Sequence, residues 1–379
     1  MPKRILICPL DWGIGHATRS LPIIRLLLKA DFDVIIAADK RPYALLEREF
    51  PGQKMIRLPG YDITYPHDSN MVVKMIQQTP RLISRIIKEH RALSRIIERY
   101  KIDLVISDAR FGLWTKQVPC VYMTHQVMVK FPGRFRCLES IFYRLHKCLI
   151  NRYTECWIPD VEGEPNLSGD LSHKYPLPRN AHFIGQLSRF TKNVNYQEPQ
   201  KKGFQEQQAS PPADNITNYD LLILLSGPEP QRTIFEKTVI DQAMKLTSFK
   251  TLILQGKSEC SQDVMLSENV RMLSHLPADE LNAAILAIPL VLARLGHTTI
   301  MDLSVLGKKA ILVPTPGQTE QEYLAEKYKE ERFFYSETQD DFDLQRMLDR
   351  ATEYTGVEMH EVDEEAILKR TQSVLILGE

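Results

Sequence analysis

The sequence predicts an α/β fold of two doubly wound domains in tandem, and three observations carry this prediction. Short, almost continuously apolar runs alternate with amphipathic helical stretches along most of the 379 residues. Such runs are typical of strands buried on both faces of a parallel sheet, and the alternation indicates βα units. A polar stretch interrupts the alternation once, and the length suits two domains of about 150–200 residues.

The predicted elements of the first half begin with a strand, a turn and a helix. The first strand covers RILICPL, and after a glycine-rich turn an amphipathic stretch runs from Ala17 to about Lys29. A long helical segment spans residues 71–99, where isoleucine and leucine recur at helical spacing. The other predicted elements are the strand FDVIIAAD, the helix RPYALLEREF, and the strands KMIRLP, IDLVISD and VPCVYMTH.

The alternation breaks at residues 193–218, a polar stretch with three prolines and no period, which predicts a flexible loop or linker. It then resumes with YDLLILLSG, QRTIFEKTVIDQAMKL and KTLILQG, and later apolar runs complete a second sheet. We therefore predict an N-terminal domain at residues 1–188, a linker at 189–218 and a C-terminal domain at 219–379. The last helix is long enough to pack back on the N-terminal domain.

The charge of the chain is unevenly distributed. Residues 1–160 contain 26 Lys and Arg against 15 Asp and Glu, whereas the rest contain 22 against 33, so a net charge of zero hides +11 and −11. A basic half suggests an anionic partner or surface. Solvated helix faces that are rich in lysine and arginine explain the same numbers equally well.

Several classes of protein are excluded by composition. The six cysteines lack CxxC spacing, which argues against a metal site and suggests reduced thiols. MPKRILICPL enters a strand without a cleavage site, and no apolar stretch reaches the roughly 18–20 residues of a transmembrane helix. We expect a cytoplasmic protein with no metal, no cofactor and, since no recognition module is evident, no nucleic-acid partner.

The turn DWGIGHATRSLP, directly after the first strand, is the first candidate site. Gly13 and Gly15 let the turn run tight, and His16 falls near the start of the next helix, where ligands approach a parallel sheet. A neutral imidazole there can take a proton from a substrate hydroxyl. The alternative is a structural glycine turn, in which Asp11 either orients the histidine or caps the helix.

A second glycine-histidine stretch, LARLGHTTIMDL, lies near the other end of the chain. Gly296 precedes a helix whose first turn holds Thr298 and Thr299, so amides and hydroxyls surround a spot suited to a phosphate. Asp302 follows on the same helix, where a carboxylate can accept hydrogen bonds from a ribose diol. The alternative for Asp302 is a solvated helix carboxylate.

Another strand–helix junction, LLSGPEPQRTIFEK, opens the second half of the chain. Ser226 and Gly227 lie in its turn, and we predict that they bind a diphosphate together with Arg232.

In LVPTPGQTEQEYLAEKY, Gln321 and Glu322 come in the first turn of a helix, where an amide and a carboxylate can bind sugar hydroxyls. Glu320 and Glu322 also complement the helix dipole, which is the structural alternative.

Two strand ends of the first half carry polar side chains. Asp108 ends VISD, and His125 ends VYMTH. Because parallel strands present their carboxyl ends at one edge, both residues should face the same cleft as His16. Functional and structural interpretations are equally supported for this pair.

The segment at residues 129–153 interleaves aromatic residues with lysines and arginines. A basic amphipathic segment of this kind can lie on an anionic membrane surface. It can equally be a domain-packing helix with a solvated basic edge.

Three of these motifs carry a family resemblance. ARLGHTTIMDLSVLGKKAILVPTPGQTEQEYLAEKY, residues 293–328, resembles the donor-nucleotide motif of GT-B glycosyltransferases, and the MurG-like family 28 is the most similar group. CPLDWGIGHATRSLPIIRLL resembles the N-terminal glycine loop of that family, and LSGPEPQRT the loop at the start of its second domain. The resemblance implies two Rossmann-like domains that face each other across a cleft, with the donor in the C-terminal domain and the acceptor in the N-terminal one.

The resemblance also implies roles for individual residues. Asp302 stands where the family usually has Glu, and Glu322 where it commonly has Gln. The implied roles are donor diphosphate binding by Gly296, His297 and Thr298, ribose binding by Asp302, base contact through the backbone of Leu273 and Ser274, donor-sugar contact by Gln321 and Glu322, and the acceptor and base step at His16.

We therefore predict an inverting, metal-independent glycosyltransferase that moves a sugar from a nucleotide-diphosphate sugar, most simply UDP-linked, to a glycan or lipid-linked acceptor. His16 would deprotonate the acceptor, while Arg232 and helix N-termini would stabilise the leaving diphosphate. The basic segment adds contact with the inner face of a membrane. Two other functions stay open: a non-hydrolysing nucleotide-sugar 2-epimerase and a non-catalytic nucleotide-sugar-binding protein.

Overall fold

The computed structural model describes residues 2–61, 71–131, 133–192, 216, 218–257 and 260–378. Within them the chain forms two seven-stranded sheets, one in each half. Most of the predicted linker lies outside the described residues. The prediction of two doubly wound α/β domains is confirmed.

The first domain has strand order β3-β2-β1-β4-β5-β6-β7, with every pair parallel. The strands form where the sequence is continuously apolar, because both faces of the sheet are covered by helices. Its elements are β1 (Arg4–Pro9), α1 (Gly15–Lys29), β2 (Asp33–Ala38), α2 (Lys40–Glu49), β3 (Met55–Arg57), α3 (Met71–Tyr100), β4 (Leu104–Asp108), β5 (Cys120–Met123), a 3₁₀ helix (Gly133–Leu138), α4 (Glu139–Ile150), β6 (Glu155–Ile158), α5 (Asp170–His173) and β7 (Ala181–Phe183).

The second domain has strand order β10-β11-β9-β8-β12-β13-β14, and its six parallel strands follow the same order as the first six strands of the first domain. Among the described residues of this domain, the antiparallel strand is β10, which lies at the edge of the sheet. All three of its residues are exposed, so the sequence has no apolar run there that would predict a strand. The elements are β8 (Leu221–Leu224), α6 (Gln231–Ala243), β9 (Thr251–Leu254), β10 (Asp263–Met265), β11 (Val270–Leu273), α7 (Ala278–Ala287), β12 (Leu290–Arg294), α8 (His297–Val305), β13 (Ala310–Val313), α9 (Thr319–Glu330), β14 (Tyr335–Ser336), α10 (Leu344–Ala351) and α11 (Glu364–Ile376).

One hydrophobic cluster extends across both domains, and each domain also has a cluster of its own. Buried side chains of α1 and of α8 belong to the same hydrophobic cluster, and the two helices pack directly against each other. The last helix, α11, lies against the first domain, where Arg370 pairs with Glu155 at 3.2 Å. Residues 189–192 run along the second domain, with Lys192 paired to Glu358. The domains therefore meet over several elements, and α1 and α8 are at the centre.

Among the described residues, no helix combines the length and the apolar character that spanning a membrane requires.

Candidate functional site

Both sheets reverse their strand order at one point, and ligands of open α/β sheets bind in the crevice beyond the strand ends there. In the first domain the reversal lies between β1 and β4, so the glycine turn before α1 and Asp108 at the end of β4 come together. In the second domain it lies between β8 and β12, which brings together the turn at Ser226 and the turn at Gly296. We call these the first and second switch points.

At the first switch point, His16 lies beside Asp108, with 3.1 Å between Nδ1 and Oδ1. Gly13 in the preceding turn has a φ of +79°, a conformation that favours glycine. His16 occupies the first turn of α1, and its side chain keeps 15% of its surface exposed while Asp108 keeps 1%. The structure thus brings together His16 and Asp108, which are 92 residues apart in the sequence.

Arg19, which sequence analysis missed, completes this site. It lies one turn after His16 on α1, and its Nε donates to Asp108 Oδ2 at 2.7 Å while Nη2 donates to Asp108 Oδ1. Burial alone would raise the pKa of Asp108, but the charges of Arg19 and His16 outweigh it and hold the pKa at about 2. The i, i+3 spacing of His16 and Arg19 was the available signal.

Arg19 also reaches His125, whose Nδ1 lies 2.9 Å from Nη1 of the arginine. His125 in turn bridges to the second domain, with 2.6 Å between its Nε2 and Glu320 Oε1 at the start of α9. Gln126 donates to the other oxygen of Glu320. Burial, followed by the charge of Arg19, lowers the pKa of His125 well below its usual range, and burial raises the pKa of Glu320.

At the second switch point, α8 begins after Gly296 with no side chain of the described residues capping it. The first amides of such a helix lack partners within it. His297 is only 4% exposed, yet neither of its ring nitrogens has a hydrogen-bond partner among the described residues. Burial lowers the pKa of His297, and its ring stacks on His125 with centroids 4.0 Å apart.

The two switch points touch each other. Thr298 Oγ1 donates to the backbone oxygen of Gly15 at 3.1 Å, and a Cβ on Gly15 would lie 3.3 Å from that hydroxyl. The cleft between the domains is therefore narrow here, and a side chain at position 15 would press on α8.

Arg232 does not fit the expectation that it is available for a diphosphate. It is buried, and its Nη2 donates to Glu236 at 2.6 Å and to the backbone of Gln255 at 3.0 Å, while Nη1 lies 3.4 Å from Glu229. Its charge is thus balanced inside the domain.

Arg294, at the end of β12, differs from Arg232 in having no carboxylate partner among the described residues. Arg294 is 1% exposed, and its guanidinium donates to backbone oxygens of Pro314 and Gln231 at 3.0 and 3.1 Å and to the side-chain oxygen of Gln339. It also stacks over the ring of Phe235, and burial lowers its pKa. A single arginine in the apolar run LVLARLG was the sequence signal for this buried cation.

Asp302 is not a solvated carboxylate. It is buried on α8 and accepts a hydrogen bond of 2.8 Å from Ser188 Oγ, and Arg189 Nε lies 3.9 Å away. Burial raises its pKa to about 6, although Arg189 and Ser188 oppose the shift. In this arrangement Asp302 faces the segment that joins the domains, so the ribose contact requires Ser188 to move.

Gln321 and Glu322, which are predicted to contact the donor sugar, bind the loop that precedes α9. Gln321 Oε1 accepts from the amide of Thr315 at 2.7 Å, and Glu322 Oε1 accepts from that of Gly317 at 2.9 Å. Gly227 has a φ of +105° and lies close to the side chain of Thr315, which brings the Ser226 turn beside this loop.

The backbone groups of Leu273 and Ser274, for which contact with the base is predicted, make hydrogen bonds within the second domain. The amide of Ser274 donates to Gln262, and the oxygens of both residues accept from amides at 2.9 Å. These groups are thus engaged within the domain.

The basic aromatic segment folds as the 3₁₀ helix and α4. Ile141, Phe142 and Leu145 of α4 are 52%, 43% and 61% exposed, with the exposed Arg144 among them. The helix thus presents an apolar surface beside basic residues, while Tyr143 and Ile150 pack inward.

Two family descriptions match the chain. Residues 3–130 match "Glycosyl transferase family 1", and residues 231–354 match "Glycosyltransferase family 28 C-terminal domain". The first match contains the first switch point, and the second contains α8 and α9. No curated protein matches the chain significantly.

Solved structures of glycosyltransferases are similar over nearly the whole chain. The glycotransferase of kitacinnamycin is 15% identical, with 100% of this chain and 96% of that chain covered and a TM-score of 0.59. VinC in complex with dTDP is 14% identical (98% and 99% covered, TM-score 0.55), and MurG from Acinetobacter baumannii is 11% identical (99% and 95%, TM-score 0.51). At these identities the likeness shows the fold.

Proposed function

Because the chain belongs to the GT-B glycosyltransferases related to family 28, we propose that it transfers a sugar from a nucleoside diphosphate held at α8 to an acceptor hydroxyl that His16 deprotonates. The comparisons support this function over the epimerase and over a non-catalytic binding protein. The observation that carries the proposal is the contact between the two switch points, which sets a proton acceptor opposite an uncapped helix N-terminus.

The second switch point is suited to the diphosphate. At the uncapped start of α8, the amides of His297 and Thr298 attract an anion through the helix dipole. A buried His297 without a partner is costly unless a ligand supplies one. Arg294 adds a positive charge that no carboxylate of the described residues balances, so it replaces Arg232 as the proposed source of charge for the leaving group.

The first switch point is suited to the base step. With the Nδ1 proton directed to Asp108, the other ring nitrogen of His16 has a lone pair for the acceptor hydroxyl. The acceptor attacks the anomeric carbon, the bond to the diphosphate oxygen breaks, and the hydroxyl proton goes to His16. Attack from the face opposite to the leaving group gives inversion.

We propose that charge on the leaving group is balanced by protein groups, so that no metal is required. Three carboxylates around the site already have donors: Asp108 has Arg19, Glu320 has His125 and Gln126, and Asp302 has Ser188. Equal turnover with added Mg²⁺ and with EDTA is expected, and a loss of turnover in EDTA would contradict this part of the proposal.

A thermal-shift panel with UDP, dTDP and GDP and their sugars tests the donor. We propose a pyrimidine nucleotide: UDP is suggested by the family resemblance, while VinC was solved with dTDP. A ligand that binds the native state raises the melting temperature by mass action. The sugar that gives the largest shift is then assayed for release of its nucleoside diphosphate, and the absence of a shift with every compound would contradict the proposal.

For the acceptor, we propose a glycan or lipid-linked hydroxyl at the inner face of an anionic membrane, in a cytoplasmic protein. The exposed apolar residues of α4 stand beside Arg144, a combination that favours membrane surfaces. Complete burial of two such side chains in the membrane would contribute about 3–6 kcal/mol to the binding free energy. The double variant Phe142→Ser with Leu145→Ser should therefore weaken binding to anionic vesicles at least about tenfold.

Leu377→Ser is the matched control, because Leu377 is 70% exposed at the end of the last helix. Vesicle flotation should be unchanged by this substitution. Equal flotation of the α4 variant and the wild type would contradict membrane contact through α4.

A further inference from the structure

We propose that Glu320 is a positioning residue that acts through His125 and Arg19 to control which ring nitrogen of His16 carries the proton. This inference rests on the proposed function, in which His16 is the base. It adds a role for a residue of the donor domain in preparing a base that belongs to the other domain.

The first step of the chain crosses the domain boundary. Glu320 Oε1 lies 2.6 Å from Nε2 of His125, and Gln126 donates to the second oxygen of Glu320. An ionised carboxylate only accepts hydrogen bonds, so it favours the form of His125 that carries its proton on Nε2.

The second step joins His125 to Arg19. Nη1 of Arg19 lies 2.9 Å from Nδ1 of His125. A guanidinium can only donate, so Nδ1 of His125 must be the acceptor. Glu320 and Arg19 therefore require the same tautomer of His125, and each contact stabilises the other.

The third step reaches the base. Nδ1 of His16 lies 2.8 Å from Nη2 of Arg19 and 3.1 Å from Oδ1 of Asp108. It can accept from Arg19 or donate to Asp108, but a neutral imidazole nitrogen cannot do both. Only donation to Asp108 leaves Nε2 of His16 without a proton and able to act as a base.

The position of the Arg19 guanidinium therefore decides whether His16 is a base. Nη2 of Arg19 lies within hydrogen-bond distance of both His16 Nδ1 and Asp108 Oδ1, so a small displacement of the guanidinium changes which of them it binds. While Glu320 holds His125 as an acceptor, the bond from Nη1 to His125 favours the position in which Nη2 donates to Asp108. Without Glu320, His125 can carry its proton on Nδ1, which repels Arg19 towards His16 and favours the inactive tautomer. The base is then competent only when α9 and the first domain are in contact.

The alternative is that Glu320 only clamps the domains together, and the same helix provides a control for it. Tyr323 lies one turn further along α9, and its hydroxyl accepts from the amide of Asp170 of the first domain at 2.7 Å. Tyr323→Phe removes this contact between the domains but touches no member of the chain from Glu320 to His16. A clamp role predicts similar effects of Tyr323→Phe and Glu320→Ala.

The test is long-range ¹H–¹⁵N NMR on the full chain labelled at its ten histidines, which reports the tautomer of each ring. Signals are assigned with His16→Ala and His125→Ala. Wild type and Tyr323→Phe should show His125 protonated on Nε2, whereas Glu320→Ala should lose this form and shift His16 towards Nε2–H. Glu320→Gln, which keeps an acceptor oxygen, should restore part of the wild-type spectrum and guards against misfolding of the alanine variant.

Kinetics give the second readout. Glu320→Ala should lower kcat by up to about 10²-fold, with little change in the donor KM, since misplacing a catalytic group costs this much. An unchanged His16 signal in Glu320→Ala, or equal losses of kcat in Glu320→Ala and Tyr323→Phe, would overturn the inference. The NMR readout needs no turnover, so a wild type that binds no sugar nucleotide would contradict the proposed function alone.

Discussion

The two switch points occupy equivalent places in two sheets whose central strands follow the same order, yet their charges are arranged differently. At the first, the buried cation Arg19 pairs with the buried carboxylate of Asp108, and His16 and His125 both have partners. At the second, the buried cation Arg294 donates to neutral oxygens, and His297 has no partner among the described residues. The buried arginine of the first switch point is thus matched by a carboxylate, whereas that of the second has no carboxylate partner among the described residues.

This difference suits the two switch points to different tasks, proton transfer at the first and anion binding at the second. Where each charged group has a partner, as at the first switch point, a histidine can take up a proton while the surrounding side chains stay in place. An unbalanced set of donors is stabilised when an anion binds, and a diphosphate is such an anion. The comparison therefore explains why the base is proposed in the first domain and the leaving group in the second.

The largest expected effect is on turnover. His16→Ala should lower kcat by about 10²–10⁴-fold, because it removes the proton acceptor for the attacking hydroxyl. The thermal shift with the donor nucleotide should persist, since the second switch point is intact. Full turnover in this variant would contradict the assignment of the base.

A second prediction compares the stability effects of removing each buried arginine. Arg19→Met should lower the free energy of unfolding by about 3–5 kcal/mol, because it leaves Asp108 buried without its partner. Arg294→Met should change it by less than about 1 kcal/mol, because relief of an unpaired buried charge offsets the lost hydrogen bonds. Urea unfolding of both variants measures these changes. Equal losses of stability would contradict the claim that Arg19 is paired with a carboxylate and Arg294 is not.

A third prediction concerns nucleotide affinity. Arg294→Met should weaken the affinity for the donor nucleoside diphosphate about tenfold or more, which corresponds to about 1.5–3 kcal/mol for a charged interaction. Arg232→Met is the matched control, because Glu236 and Glu229 already balance that arginine. Titration calorimetry should find near wild-type affinity for Arg232→Met. The reverse ranking would restore the role that the sequence suggested for Arg232.

A fourth prediction concerns the pH dependence of the stability contributed by Asp302. Its pKa rises from about 3.8 to about 6 on folding, so its contribution to stability is complete below pH 3.8 and is lost as the pH rises through 6. Asp302→Asn should therefore be more stable than wild type at pH 8, by on the order of 2–3 kcal/mol, and gain little at pH 4. Melting curves at the two pH values check this, and a gain that does not depend on pH would contradict it.

Sequence patterns predicted the features that depend on neighbouring residues, but not the contacts between residues that are far apart in the sequence. Apolar runs and glycine turns are local signals, so they predicted both sheets and the positions of His16 and Gly296. Asp108 was recovered because parallel strands end at one edge. The partners of Arg232 and Asp302 are side-chain contacts that no local pattern encodes, and Glu320 gains its contact with His125 across 195 residues of sequence. Such contacts depend on how the domains pack. Sequence patterns could therefore predict the turns, but not which partners the charged side chains at those turns have.

The central claim is that the diphosphate binds at the start of α8, opposite His16. A crystal structure of the chain with the nucleoside diphosphate that gives the largest thermal shift tests it most directly. We expect phosphate oxygens within hydrogen-bond distance of the backbone amides of residues 297–298, with the ring of His297 in contact. A diphosphate bound elsewhere, with Thr298 still hydrogen-bonded to Gly15, would contradict it.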